Sequence, residues 1–150
     1  MTVTLRPFAE GDADALFEWM RDPESVRVAV FTWRDPDDRA LFDAWLARNL
    51  ANPAVRHWSI DADGAYVGMT ASFEIEGERE ITYWVDRAHW GRGIASAAVG
   101  EVPKLDATRP LGARVASTNL GSIAVLEHNG FVEVGRELDG DVEETVFRLR

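Results

Sequence analysis

The segment Val85-Asp86-Arg87-Ala88-His89-Trp90-Gly91-Arg92-Gly93-Ile94-Ala95 sets two glycines between a strand-like run and a helix-like one. Glycine lets a backbone come close to a phosphate. The unpaired N–H groups of a first helical turn, at the positive end of the helix dipole, complete an anion cradle. Arg87 and Arg92 add local positive charge. The same pattern also describes a tight strand-to-helix connection without a ligand, because paired glycines are common at such junctions. A dinucleotide-binding fold would want a third Gly or Ala where Ser96 stands, and an acidic residue closing the next strand, which ends instead in Ala116, Ser117 and Thr118. No Gly-Lys-Ser/Thr follows the glycines, which excludes a P-loop. His57, His89 and His128 lack metalloprotease spacing, and no metal site is expected. Without cysteine, a disulfide framework, a thiolate metal site and a cysteine nucleophile are all excluded.

The elements that would position this loop follow from periodicity. A first strand is expected over 4–8 and a helix over 11–21, with Leu16, Phe17 and Met20 on one face and Pro23 ending it. The run 25–33 is apolar and β-branched and reads as a strand or an ordered loop. Asp35, Pro36, Asp37 and Asp38 open a second helix to Leu50, with Leu41, Phe42, Trp45 and Leu46 as its buried stripe. Strands at 58–61, 65–75 and 80–85, separated by Asp63-Gly64 and Glu76-Gly77, predict an antiparallel meander. A helix from Arg92 to about Val102 follows the glycine loop, where Gly100 and Pro103 should shorten, kink or end it. A strand over 112–117, a helix over 120–129 stopped by Gly130, and a final hairpin turning on Asp139-Gly140 complete the chain. The fold class is therefore α+β, with about four helices against a mixed, mostly antiparallel sheet.

Composition sets the outer bounds. The chain has 150 residues, 46% hydrophobic and 28% charged, and reads as one domain over 1–150. No apolar run approaches the ~18 residues of a membrane span, and the residues after Met1 lack a signal-peptide core, so a cytoplasmic protein away from membranes is expected. Net charge is −10 with no basic module, which argues against nucleic acid and favours a cationic amine or basic peptide as partner.

The stretches Glu80-Ile81-Thr82-Tyr83-Trp84-Val85, Trp90-Gly91-Arg92-Gly93-Ile94-Ala95, Asn119-Leu120-Gly121-Ser122 and Glu127-His128-Asn129-Gly130-Phe131 together resemble the GNAT acetyltransferase superfamily. Within it, the pattern is most similar to the branch that acetylates ribosomal-protein N-termini. The resemblance covers essentially the whole chain in order. It implies a sheet splayed around an acyl-CoA site and acetyl-CoA as cosubstrate. The pyrophosphate would lie on the backbone of Gly91, Arg92, Gly93, Ile94 and Ala95, the strand around Val85 would pair with the pantetheine arm, and Asn119 would contact the cofactor. A homodimer is compatible with it. Trp90 replaces the frequent Gln or Arg that opens the phosphate motif, and Leu126 stands where many members carry a proton-donating tyrosine.

Acetylating an amine by direct attack on a thioester in a ternary complex needs an unprotonated amine, a polarised carbonyl and a proton for the thiolate. Glu80 is the expected base, with Glu74 second; its alternative is a solvated strand-end carboxylate. Ser122 matches the donor used in the ribosomal branch, or is an ordinary first-turn serine. Asn119 is equally explained as a helix N-cap. Phe31, Trp33, Tyr83 and Trp84 would line the acceptor pocket, because the segment between the first two helices closes over the amine in this family. The resemblance favours a protein N-terminus as acceptor and leaves a small-molecule amine open. The missing tyrosine also allows a degenerate acyl-CoA-binding protein that has lost turnover.

Overall fold

The computed structural model describes residues 1–30 and 35–150. Seven strands form one sheet: β1 (Val3–Pro7), β2 (Arg56–Ala62), β3 (Ala65–Ile75), β4 (Glu78–Val85), β5 (Leu111–Ala116), β6 (Val132–Asp139) and β7 (Val142–Leu149), in the order β1-β2-β3-β4-β5-β7-β6. Every pairing is antiparallel except β4–β5, which is parallel. Five helices are described where about four were expected: α1 (Ala13–Met20), α2 (Pro23–Ala29), α3 (Arg39–Ala51), α4 (Ile94–Leu105) and α5 (Leu120–His128). Both meander turns are built as their dipeptides predict, with Asp63, Gly64, Glu76 and Gly77 all at positive φ, the requirement of a two-residue hairpin.

The additional helix is α2, which replaces the strand or loop expected after Ser25. Local capping overrides the β-branched composition. The Asp22 side chain accepts the Ser25 N–H at 3.0 Å and the Ser25 hydroxyl at 2.8 Å, and Pro23 sits in the first helical turn, where its missing N–H costs nothing. Pro23 therefore opens α2 and does not terminate α1. The expectation for α4 is also corrected, because the helix runs through Pro103 to Leu105. The proline lies in the last turn, so only one ladder bond is lost, and the fully buried Val99 and Val102 hold that turn on the sheet. Gly100 is needed for another reason. A Cβ there would stand 2.9 Å from Asn129 Oδ1, whose amide group donates to the Ser96 carbonyl and ties α5 to α4.

Alternation along the strands divides the core between two faces. On one, Ile81, Leu111, Ala113 and Phe147 pack under Val99 and Val102 of α4 and Leu126 of α5. On the other, Met69 and Ala71 of β3 pack against Leu16, Phe17 and Met20 of α1 and Phe42 and Leu46 of α3, with Trp84 alongside. None of the described helices is long and apolar enough to cross a membrane.

At the β1 end, Arg6 joins Asp12 and Asp61, each at 2.8 Å, and the Ser59 hydroxyl donates to Asp12 at 2.7 Å. Beside this cluster the His57 ring stacks edge-on against Phe8, and its Nε2 has no hydrogen-bond partner. Burial lowers its pKa to about 4, against the opposing pull of the Asp12 charge. The folded state thus prefers neutral His57, and the associated stability is complete above pH 6.5 and is lost as pH falls from 6.5 towards 4. The loss should not exceed about 3 kcal/mol. Melting temperatures recorded between pH 7 and 4 should fall less steeply for His57→Phe than for the wild type; equal slopes would remove His57 as the cause.

Candidate active site

β4 and β5 share only two register pairs, Arg79↔Leu111 and Glu80↔Gly112, and then separate. Two cavities occupy the opening. One, of about 350 Å³, runs between α2, the glycine loop and the start of α5; the other, of about 320 Å³, lies towards α1, α3 and the β6–β7 hairpin. They meet at Ala29, Tyr83, Trp84, Asn119 and Ser122, which line both.

The first cavity carries the glycine loop. Gly91 and Gly93 have φ of 77° and 78°, in the left-handed region that side chains avoid, and a Cβ on either would meet no protein atom. Gly93 is the N-cap of α4, and its carbonyl takes the first ladder bond, from the Ala97 N–H at 3.0 Å. The amides of Ile94, Ala95 and Ser96 precede that bond and have no acceptor within the helix. They present the positive end of a 12-residue helix to the cleft, the donor set that a pyrophosphate requires. Arg87, expected to add charge to the loop, is instead held by Asp22 through two contacts at 2.8 and 3.1 Å, which fasten α2 over the cleft. Arg92 is exposed and does not line the cleft. Val85 does, though its carbonyl accepts the Trp90 indole N–H at 3.0 Å.

At the junction, the Tyr83 hydroxyl donates to Ser122 Oγ at 2.6 Å. Burial raises the Tyr83 pKa, partly offset by that bond, so the phenol remains protonated at neutral pH. Asn119 caps α5 by accepting the Ser122 N–H at 3.2 Å, which fixes the turn that carries the hydroxyl. Sequence reasoning placed Tyr83 in the acceptor wall. Its partnership with Ser122, 39 residues away, has no local signal.

The second cavity includes Trp84, as expected, and two carboxylates that sequence reasoning did not select, Asp139 and Glu144. Burial, and then the nearby charge of Asp139, raises the Glu144 pKa. Glu80 does not stand where a base was expected. It is 2% exposed, both its oxygens accept from Arg114 Nε at 3.0 and 3.2 Å, and it lines neither cavity. It is a buried half of an ion pair, not a solvated strand end. Glu74, the other expected carboxylate, also lines neither cavity. Phe31 and Trp33 lie outside the described residues. No group of three or more potential metal ligands occurs among the described residues.

A family model described as the acetyltransferase (GNAT) domain matches residues 2–132. Solved structures share the fold. A spermidine N-acetyltransferase from Vibrio cholerae in complex with CoA and spermine is 18% identical, with a TM-score of 0.78 over 98% of this chain and 94% of that one. An aminoglycoside acetyltransferase in complex with coenzyme A is 22% identical, with a TM-score of 0.81 over 99% and 94%. An acetyltransferase from Agrobacterium tumefaciens is 25% identical, with a TM-score of 0.79 over 99% and 90%. No curated protein matches the chain.

Gly93 lines the first cavity at a left-handed φ, and a side chain there would meet no protein atom. Gly93→Val should therefore lower CoA affinity at least about tenfold in a protein that still folds, the left-handed backbone adding about 1–2 kcal/mol of local strain. Arg92→Ala should change affinity by less than about fivefold, as expected for an exposed charge. Calorimetric titration with CoA, alongside circular dichroism, tests both; wild-type affinity in folded Gly93→Val would remove the loop from the cofactor site.

Proposed function

The chain belongs to the GNAT acetyltransferase family, and we propose that it transfers the acetyl group of acetyl-CoA to the primary amine of a small molecule within a ternary complex. The observation that carries this reading is the meeting of two cavities at one hydroxyl pair, Tyr83 and Ser122. A cofactor on the α4 amides would send its thioester along β4 towards Ser122, and an amine in the second cavity would approach the same point from the opposite side. Holding two substrates in line is the largest contribution such a site can make, worth roughly 7–11 kcal/mol of the barrier.

The proton steps then fall to residues at the junction. An ammonium entering the second cavity gives one proton to the Glu144 carboxylate, which passes it to solvent. The free amine attacks the thioester carbonyl, and the tetrahedral adduct collapses with cleavage of the C–S bond. Ser122 protonates the departing thiolate and is resupplied by Tyr83, and the proton lost by the new amide nitrogen restores the phenol. A carboxylate whose pKa is already raised is a stronger base than an ordinary one, which supports Glu144 over the paired Glu80. The branch resemblance seen in the sequence favours a protein N-terminus, whereas the limited volume of the second cavity supports a small amine. In the named relatives, the spermidine and aminoglycoside enzymes act on small amines.

The test is acetyl transfer to a panel of small amines and of basic peptides with free or blocked N-termini. Turnover with small amines is expected; CoA binding without transfer to any amine would mean a binding protein, and turnover confined to free peptide N-termini would restore the protein acceptor. With an active amine, Ser122→Ala and Tyr83→Phe should lower kcat and kcat/KM together, by about 10–100-fold, with CoA affinity unchanged. Glu144→Gln should flatten the rise of kcat/KM with pH, while an unaltered profile would exclude Glu144 as the base. Asp139, Glu137, Glu80 and Arg114 all act on Glu144 electrostatically, so the limb it sets should move towards higher pH in Arg114→Gln, where the opposing positive charge is gone.

A further inference from the structure

Among the described residues, the charged side chains of the second cavity, Glu144, Asp139 and Arg114, gather at one end. Glu144 lies opposite Ala116 in the β5–β7 register, and the Ala116 carbonyl accepts the N–H of Asn119, the cap of the helix that carries Ser122. The carboxylate end is therefore the reacting end. Asp139 joins it from the β6–β7 turn, where it pairs with Val142. Away from that end the wall is mostly apolar, with Met20 of α1, Trp45 of α3 and the paired Met69 and Trp84 of β3 and β4, and Thr82 beside them. Among the described residues, Arg114 is the basic side chain of this cavity, and its guanidinium is already engaged by Glu80 and Glu137.

We infer that the acceptor is a monoamine with an apolar body, an arylalkylamine or alkylamine whose single ammonium rests at Glu144 while its hydrocarbon part lies along Met20, Trp45, Met69 and Trp84. This rests on the acetyl transfer proposed above and narrows its substrate class. Three physical arguments support it. A volume of about 320 Å³ accommodates roughly ten water-sized groups, enough to hold a phenylethylamine whole. A second or third ammonium beyond the reach of Glu144 and Asp139, as on a long polyamine, would lie against Met20, Trp45, Met69 and Trp84, where no carboxylate of the described residues lines the cavity, and an unpaired buried charge is strongly unfavourable. A ring or alkyl chain placed there instead is favoured in proportion to the apolar surface it removes from water. Partial burial and then the neighbouring acids raise the Glu144 pKa, against the pull of Arg114, so an ammonium beside it would stabilise a charge that its surroundings disfavour.

The experiment compares 2-phenylethylamine, hexylamine, spermidine and kanamycin as acceptors, and measures their binding to the CoA-loaded protein by calorimetry. Phenylethylamine and hexylamine should exceed spermidine in kcat/KM by at least about tenfold and should also bind more tightly. Spermidine or kanamycin as the preferred ligand would overturn the inference even if transfer itself is confirmed. If no amine is acetylated, the proposed transfer fails while the calorimetric order still decides what the cavity holds. Trp45→Gln removes apolar wall at a partly exposed helix position, and its CoA affinity reports whether the variant is folded. It should raise KM or Kd for phenylethylamine about tenfold and leave spermidine unchanged; equal effects on both would show that the wall does not select the acceptor.

Discussion

The parallel seam between β4 and β5 is the constraint on which the site depends. Two register pairs close it, and at the second of these Glu80 turns a buried carboxylate onto the Arg114 guanidinium. Gly112 opposite leaves room for these side chains: a Cβ there would lie 2.6 Å from Arg148 Nη1, which would have to move, and 3.3 Å from Glu80 Cγ. Removing one partner of such a pair leaves an uncompensated buried charge, typically at a cost of about 3–5 kcal/mol, so the seam is held tightly where it exists. Immediately beyond it the strands separate, and both cavities open into the gap. A sheet that remained paired along its whole length would bury Tyr83 and Ser122 away from any substrate.

Most of this fold is legible in the sequence because its signals are local. The hairpin dipeptides, the glycine after α5 and the alternation along β2 to β4 each act within a few residues, and the structure follows them. The departures occur where two local signals compete. In α2, an Asp-Pro cap with a serine three residues on outweighs Val26 and Val28. In α4, burial of Val99 and Val102 outweighs a proline whose position in the last turn limits the damage. Gly100 illustrates the opposite limit. It weakens a helix on propensity alone, and only the approach of Asn129, from another helix, explains it.

The site divides along the same line. The cofactor loop is contiguous, so its glycines and the helix after it can be read directly. The chemistry at the junction is assembled across the sheet. Tyr83 and Ser122 are 39 positions apart, and Glu80 and Arg114 are 34 apart. A carboxylate at the start of the strand leading to the loop is a reasonable base until β5 supplies an arginine beside it. Glu144 gives no such signal, because it sits in an acidic hairpin that resembles any solvated turn.

Leu126, where the family resemblance in the sequence implies a tyrosine, is 1% exposed and packs from α5 into the core. In the mechanism proposed above, the phenol comes instead from β4. Its place on a strand has two physical consequences. The Tyr83 backbone is fixed by pairing with Thr70, and its ring is deep enough that burial keeps the hydroxyl protonated. The proton then reaches the cleft through Ser122, in the first turn of α5, where the positive end of the helix favours negative charge on whatever the serine faces. A strand-borne phenol and a helix-borne serine in series separate two demands that a single helical tyrosine must meet together, holding a proton in reserve and stabilising the thiolate that receives it.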